Sequence, residues 1–200
     1  MGYLECVSYF IETHHLKAGK PLAFHAKAVT CIRKGKVGKK NEFCRVFQLG
    51  RLGGNFMMVL KSTSLRQDDK QSLQAMVTEH LNVFGTGVLQ SLGTDKGYYS
   101  KENVLALKPL ISEVNIQQPT HLKTDLSGLS EERKQKLNDR RAGAEPLIGH
   151  LKNEFGLDKS RMKSDETTLA SGYRSVLGFN LHQLVRHLQG IPAKTRLAGG

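Results

Sequence analysis

Val88-Leu-Gln-Ser-Leu-Gly-Thr-Asp95-Lys-Gly-Tyr-Tyr-Ser100 is the stretch whose reading decides the fold. A short apolar run closes on an acid, a glycine-bearing turn follows, and Ser100 stands where it can cap a helix. The order predicts a strand ending at Asp95 and a helix from Ser100 to about Leu107, with Pro109 just past its end. A carboxylate at the C-terminal tip of a strand, ahead of a turn into a helix, is where open α/β sheets place functional groups. Asp95 therefore reads in two ways, as a turn former and as a functional acid. Val114-Asn-Ile-Gln-Gln118 follows as a last strand.

Upstream, Glu42-Phe-Cys-Arg-Val-Phe-Gln-Leu49 alternates as a strand, and Phe56-Met-Met-Val-Leu-Lys-Ser-Thr63 makes a second. The glycine-bearing turn from Gly50 to Asn55 joins them as an antiparallel hairpin. Asp68 and Asp69 then cap a helix whose stripe is Leu73, Met76, Val77, Leu81 and Phe84. Gly85 and Gly87 end it. At the N-terminus Leu4, Val7 and Ile11 recur at helical spacing within Met1 to Thr13. His14-His15 is read as a solvated turn, since adjacent histidines point apart on a helix or a strand.

Downstream, Pro119 to Ser130 is a polar loop, and Ser130-Glu131-Glu132 starts a charged helical stretch. It leads into Arg140-Arg141-Ala-Gly-Ala-Glu145-Pro-Leu-Ile-Gly-His-Leu-Lys152, read as a single helix strained where Pro146 lacks a donor. With Arg141 at the origin and about 100° per residue, Glu145 falls near roughly 40° and Lys152 near roughly 20°. The three share a face beside an apolar stripe of Ala144, Ile148, Leu151 and Phe155. Taken alone, that face is an ordinary charged surface with i,i+4 pairing. Tyr173, Val176, Leu177, Leu181, Leu184, Val185 and Leu188 predict a last amphipathic helix. Asn180 lies inside the same stripe and needs a hydrogen-bond partner where buried. The end from Gly190 to Gly200 is expected to fray.

The chain has 200 residues, 38% hydrophobic and 24% charged, which is globular rather than disordered. A formal net charge of +12 favours a polyanionic partner, nucleic acid first, with ribosomal or membrane surfaces as other polyanions. Lys17 to Arg51 concentrates it, with ten Lys or Arg against one acid, Glu42. At its centre Ile32-Arg33-Lys34-Gly-Lys36-Val-Gly-Lys39-Lys40-Asn41 reads as an exposed turn carrying a cationic patch. Such a patch binds phosphate backbone without reading sequence. Cys6, Cys31 and Cys44 form no C-x-x-C pair and are odd in number, which fits inert thiols of a reducing cytoplasm. No apolar run is long enough to span a membrane, and no secretion signal is present.

These elements give an α/β sheet with an acid on a strand tip and another on a later helix, an arrangement like that of ribonuclease H. Two such acids can hold Mg2+ or Mn2+ and support hydrolysis or strand transfer on a nucleic acid held by the basic segment. Thr94-Asp95-Lys-Gly-Tyr-Tyr-Ser-Lys-Glu-Asn103 resembles the second-aspartate motif of bacterial insertion-sequence DDE transposases. Arg141, three residues, Glu145, six residues and Lys152 are similar to that family's arginine–glutamate–lysine signature. Asn180-Leu181 and Ile32-Arg-Lys-Gly-Lys36 resemble it too, so the likeness runs from about Lys20 to Leu188.

The resemblance implies a metal-dependent DNA nuclease and strand transferase acting at transposon ends. Asp95 and Glu145 would be the catalytic metal ligands. Arg141, Lys152 and Lys96 would contact DNA, together with Arg33, Lys34, Lys36, Lys39 and Lys40 and, more remotely, Tyr98. The chain departs from the family twice. Asn138 stands where the signature has a tyrosine, and no strand before Glu42 carries the family's first aspartate. The expectation is a ribonuclease-H-like mixed sheet with flanking helices that lacks its first strand, the C-terminal portion of a longer transposase. Its parts would be a helical remnant over 1–16, the partial catalytic domain over 17–190 and a flexible tail over 191–200. DNA, a second copy or a full-length transposase are the expected partners, in the bacterial cytoplasm near the nucleoid. The competing expectation is a basic DNA-binding remnant without catalysis.

Overall fold

The structure, a computed structural model, describes residues 3–15, 30–36, 39–63, 69–122 and 125–191, and of residues 30–44 the backbone alone. It is a mixed α/β fold. Helix α1 (Tyr3–Thr13) opens the chain, and β1 (Thr30–Lys36) pairs antiparallel with β2 (Lys39–Cys44). Strands β3 (Val46–Arg51) and β4 (Met57–Thr63) form a second antiparallel hairpin. Helix α2 (Asp69–Phe84) follows, then β5 (Ser91–Thr94), α3 (Lys101–Leu107) and β6 (Glu113–Ile116). Strands β5 and β6 are parallel, so this segment is a compact βαβ unit. Helices α4 (Glu131–Ala142), α5 (Ala144–Asn153) and α6 (Asp165–Leu188) complete the described chain.

The βαβ unit follows the sequence reading closely. Ser100 Oγ accepts the Asn103 amide at 3.1 Å and caps α3, and Pro109 lies beyond its end. Gly85 and Gly87, at φ values of 88° and 86°, close α2 in a conformation that only glycine adopts without strain. The hairpin is also present, with two corrections. Its first strand starts at Val46, because Glu42 to Cys44 belongs to β2. Of the basic Ile32 to Asn41, Ile32 to Lys36 and Lys39 to Asn41 are strand rather than turn, and residues 37–38 lie outside the described residues.

The expected mixed sheet does not form among the described residues. The strands pair in twos, β1 with β2, β3 with β4, and β5 with β6, with no ladder between the pairs. Two apolar clusters hold the pairs instead. One joins α2, α3 and β6 through Leu73, Val77, Val104, Leu107, Ile111 and Val114. The other joins β4, α5 and α6 through Met57, Val59, Leu147, Leu151, Val176 and Phe179.

Helix α6 runs along the β3–β4 hairpin. Asn180 accepts the Met57 amide on Oδ1 at 2.9 Å and donates Nδ2 to the Met57 carbonyl at 2.7 Å, which meets the partner requirement read from the sequence. His187 donates from Nε2 to the Gly54 carbonyl at 2.8 Å and stacks on Phe56. Toward the N-terminal half, Gly172 faces the Phe47 ring so closely that a Cβ there would lie 2.2 Å from Cζ. Gly172→Ala is therefore expected to cost about 1–3 kcal/mol by overpacking, although alanine favours a helix by roughly 1 kcal/mol. Urea denaturation checks this, and Phe47→Leu added to Gly172→Ala should recover most of the loss.

Further differences concern the helices. The last helix begins at Asp165, eight positions before Tyr173, on a capping box formed by Ser164 and Thr167. Its apolar stripe is mostly outside, with Val176 buried and Tyr173, Leu177, Leu181, Leu184, Val185 and Leu188 exposed. Helix α1 likewise forms as expected, but Leu4, Val7 and Ile11 are exposed. Phe84, at the end of the α2 stripe, is exposed too. Asp69 is the first residue of α2, whereas Asp68 and residues 192–200 lie outside the described residues.

Candidate functional site

The segment from Arg140 to Lys152 is two helices rather than one. The break falls at Gly143 and not at Pro146. Pro146 occupies the first turn of α5, where the missing donor has no partner to lose. A Cβ on Gly143 would lie 2.3 Å from Arg51 Nη1, so glycine opens a notch at the joint into which the Arg51 guanidinium fits. Arg51 donates from Nη1 to the Arg140 carbonyl at 2.7 Å and from Nε to Asn55 Oδ1 at 2.9 Å. The joint between α4 and α5 is thereby tied to the hairpin. Burial, and then the Arg140 charge, hold the Arg51 pKa below its usual value.

Helix α4 is fixed on its other side to β6. Arg133 grips Glu113 with two hydrogen bonds, Nε to Oε1 at 2.8 Å and Nη2 to Oε2 at 2.5 Å. Asn138, the position where the resembled signature has a tyrosine, accepts from Asn115 Nδ2 at 2.9 Å and Gln117 Nε2 at 3.1 Å. Its amide is spent on joining α4 to β6.

A cavity of about 440 Å3 is lined by residues of the β3–β4 hairpin and of β5. Leu49 to Asn55 of the hairpin form one wall and Ser91 to Asp95 the opposite one. Leu73, Met76 and Val77 of α2, with Leu137 and Ile148 of α4 and α5, supply apolar lining. A register shift at Leu49 leaves Leu60 without a cross-strand partner. Its side chain lies over Gly50 and lines the cavity. Asp95, Arg140, Arg141, Glu145 and Arg51 all line this one space.

Asp95 and Glu145 thus share a cavity, with Arg141 beside Glu145. Asp95 is exposed, and its Oδ1 accepts the Lys96 amide at 2.6 Å, so the turn-forming role is present. A carboxylate has further lone pairs, and the second oxygen remains for a ligand. Glu145 sits in the first turn of α5, where the helix dipole favours an anion. Its partner is Arg141 Nη1 at 3.7 Å, with the Glu145 side chain 74% exposed and that of Arg141 26%. An ion pair so open to water contributes little to stability. Arg141 Nε is buried without a hydrogen-bond partner, which leaves a donor to satisfy.

Lys152 is exposed in the last turn of α5 and does not line the cavity. Glu145 and Lys152 both belong to α5, two turns apart, and the cation that pairs with Glu145 is Arg141, from across the break at Gly143. Lys96 is exposed in the short turn after Asp95 and does not line the cavity either. Arg33, Lys34 and Lys36 stand on β1 and Lys39 and Lys40 on β2, with their side chains outside the described residues.

The sequence reading missed Arg51 and Asp69. Arg51 was only one of ten basic residues, although its place at the head of a Gly-Gly turn was a usable sign. Asp69, read only as a cap, accepts from Gln48 Nε2 at 3.4 Å and packs 3.2 Å from where a Gly97 Cβ would stand. Burial raises the Tyr98 pKa to about 12, with Asp69 and then Asp95 adding to the shift. Tyr98 is thus a standing proton donor beside two acids. Its raised folded pKa contributes stability that is complete below the unfolded value of about 10 and lost as pH climbs through 12. Ultraviolet titration should show a late-ionising tyrosine that is absent in Tyr98→Phe, and that variant should lose stability less steeply between pH 10 and 12.

Among the described residues no three His, Cys, Asp or Glu side chains gather as a metal cluster, and His14 and His15 are exposed. Cys6 is a free thiol. No described helix is long and apolar enough to cross a membrane. Comparison with protein-family models, with curated proteins and with solved structures finds no match in any of the three.

Proposed function

We propose that the chain is a DDE-type transposase portion with a partial ribonuclease-H-like fold, acting on DNA at transposon ends. The observation that carries the reading is the shared cavity. Asp95 on a strand tip and Glu145 in a helix first turn line one space, with Arg51, Arg140 and Arg141 around it. Two carboxylates fit a magnesium or manganese ion, which binds through one or two acids and completes its shell with water and substrate phosphate. Bound there, such an ion supplies polarisation of the attacking and leaving oxygens. The chain's own residues have the remaining tasks. Asp95 and Glu145 would hold the ion, while Arg141 and Arg51 would offer guanidinium donors to the phosphate backbone. Tyr98 keeps its proton and can donate it in a hydrogen bond. The net charge of +12 draws the polyanion to the surface.

A second reading, a DNA-binding remnant without catalysis, has its own support. Two exposed acids with no third ligand among the described residues make a weak metal site. A nicking assay on plasmid DNA with Mg2+ or Mn2+ separates the two. Cleavage that disappears in both Asp95→Ala and Glu145→Ala supports the transposase. Salt-sensitive DNA binding that needs no metal and gives no cleavage supports the remnant. Binding of neither kind removes both.

A further inference from the structure

The cavity that Asp95 and Glu145 line has more apolar wall than a metal ion or a phosphate can use. Leu49, Leu60, Leu89, Leu92 and Ile148 line it and are only half-buried. A hard cation is held by oxygen, and a phosphate by guanidinium and amide groups. Neither gains from leucine. Apolar side chains beside an open space of about 440 Å3 gain free energy when an apolar body covers them. Pockets that take small organic molecules run from roughly 300 to 1,000 Å3, and this one falls within that range.

The charged groups of the same wall select the charge of that body. Arg51, Arg140 and Arg141 stand against Asp95 and Glu145, an excess of one positive charge. Arg51 is already engaged by the Arg140 carbonyl and by Asn55. Arg141 is not: its Nε is buried without a hydrogen-bond partner, and its Nη1 lies 3.7 Å from an exposed Glu145. A guanidinium in that state gains from a carboxylate, which can take two of its donors at once. His80 also lines the cavity, is 8% exposed and has Nδ1 without a partner, so it can meet a second polar atom. A phosphate monoester would bring nearly two negative charges, more than the excess balances.

We propose that this cavity binds a small amphipathic carboxylate, an organic molecule with an apolar body and one negative charge. The body lies on Leu49, Leu60, Leu92 and Ile148, and the carboxylate on Arg141. The proposal stands apart from the DNA reading, since it uses the apolar wall and needs neither metal nor nucleic acid. The two ask opposite things of Glu145, which would hold a cation in the DNA reading and repels the ligand in this one.

Calorimetric titration of the full chain with sodium octanoate, without metal or DNA, tests it. One site per chain is expected. Arg141→Gln should weaken binding about tenfold, and Arg141→Lys, which keeps the charge but not the fork, should lose less. Glu145→Gln should tighten binding about threefold, whereas the same change would weaken a bound ion. Leu60→Trp fills the wall and should abolish binding, and where it disturbs the far-ultraviolet dichroism Leu60→Phe is read in its place. Octanol, with the same chain and no charge, should bind about tenfold more weakly. Leu181→Glu, on the exposed face of α6, should change nothing, which separates the cavity from adsorption on the surface. No binding at millimolar octanoate overturns the proposal, as does binding that Arg141→Gln leaves unchanged or that Leu181→Glu removes. Tighter binding of deoxyadenosine monophosphate than of octanoate also overturns it, and makes the cavity a nucleotide site.

Discussion

Phe179→Ala is expected to lower the unfolding free energy by about 3–5 kcal/mol. Phe179 is 1% exposed and stands among Met57, Val59, Leu147, Leu151 and Val176. Its ring meets Phe155 edge to face, with centroids 5.6 Å apart and planes at 83°. Truncation forfeits the transfer of the ring from water, this aromatic contact and the contacts around the space left behind. Strands β3 and β4 cannot close that space, because Asn180 and His187 hold them to α6 on the same side. For a chain of this size each kcal/mol moves Tm by roughly 2–4 °C. A urea midpoint shifted with the slope unchanged would confirm the loss, and a cost under about 1 kcal/mol would show that this cluster is not the core.

Asn180→Leu is the second large effect. The side chain answers both the donor and the acceptor of Met57, a residue 1% exposed at the start of β4. Leucine has the same branching but is bulkier, and it leaves an amide hydrogen and a carbonyl without partners. Each buried orphan costs about 1–3 kcal/mol, so the total is expected near 2–4 kcal/mol, with some relief from water. Hydrogen exchange gives a local readout, since the Met57 amide should lose its protection by more than its strand neighbours. Asn180→Asp keeps the acceptor for the Met57 amide but sets a carboxylate against the carbonyl, so it should rescue little. An Asn180→Leu chain as stable as wild type would mean that Met57 finds other partners.

The elements read well from the sequence where a local rule was sufficient. Ser100 and Ser130 mark caps, and Gly85 and Gly87 stop a helix, because each needs only its own backbone neighbours. The need of Asn180 for a partner was equally plain, since a buried amide cannot stay unpaired. Periodicity misled where burial depends on what lies opposite. The stripe from Tyr173 to Leu188 looked like a core face, while the face that is buried is marked by Gly172, Ser175 and Gln183. Small and polar residues there admit Phe47 and the hairpin, a pairing that hydrophobicity does not reveal. Helical geometry misled in the same way across Gly143, because the break depends on Arg51, ninety-two positions earlier. At the site, the strand tip at Asp95 and the helix at Glu145 were legible, and both line one cavity. Lys152 lies on α5 with Glu145 but away from the cavity, and Arg51 and Asp69 were hidden because their neighbours are distant in the chain.

The capping bond at Asp95 sets the two cavity acids apart in entropy. Asp95 is held at its rotamer by the Lys96 amide before anything binds. Glu145, longer, 74% exposed and held by one contact of 3.7 Å, keeps most of its rotamer freedom. Any cation or phosphate-bearing ligand gathered between them would find one carboxylate preorganised and would have to order the other. Shortening Glu145 to aspartate would reduce the freedom to be lost but also the reach, whereas removing the Lys96 bond would release Asp95 to the same disorder as its partner.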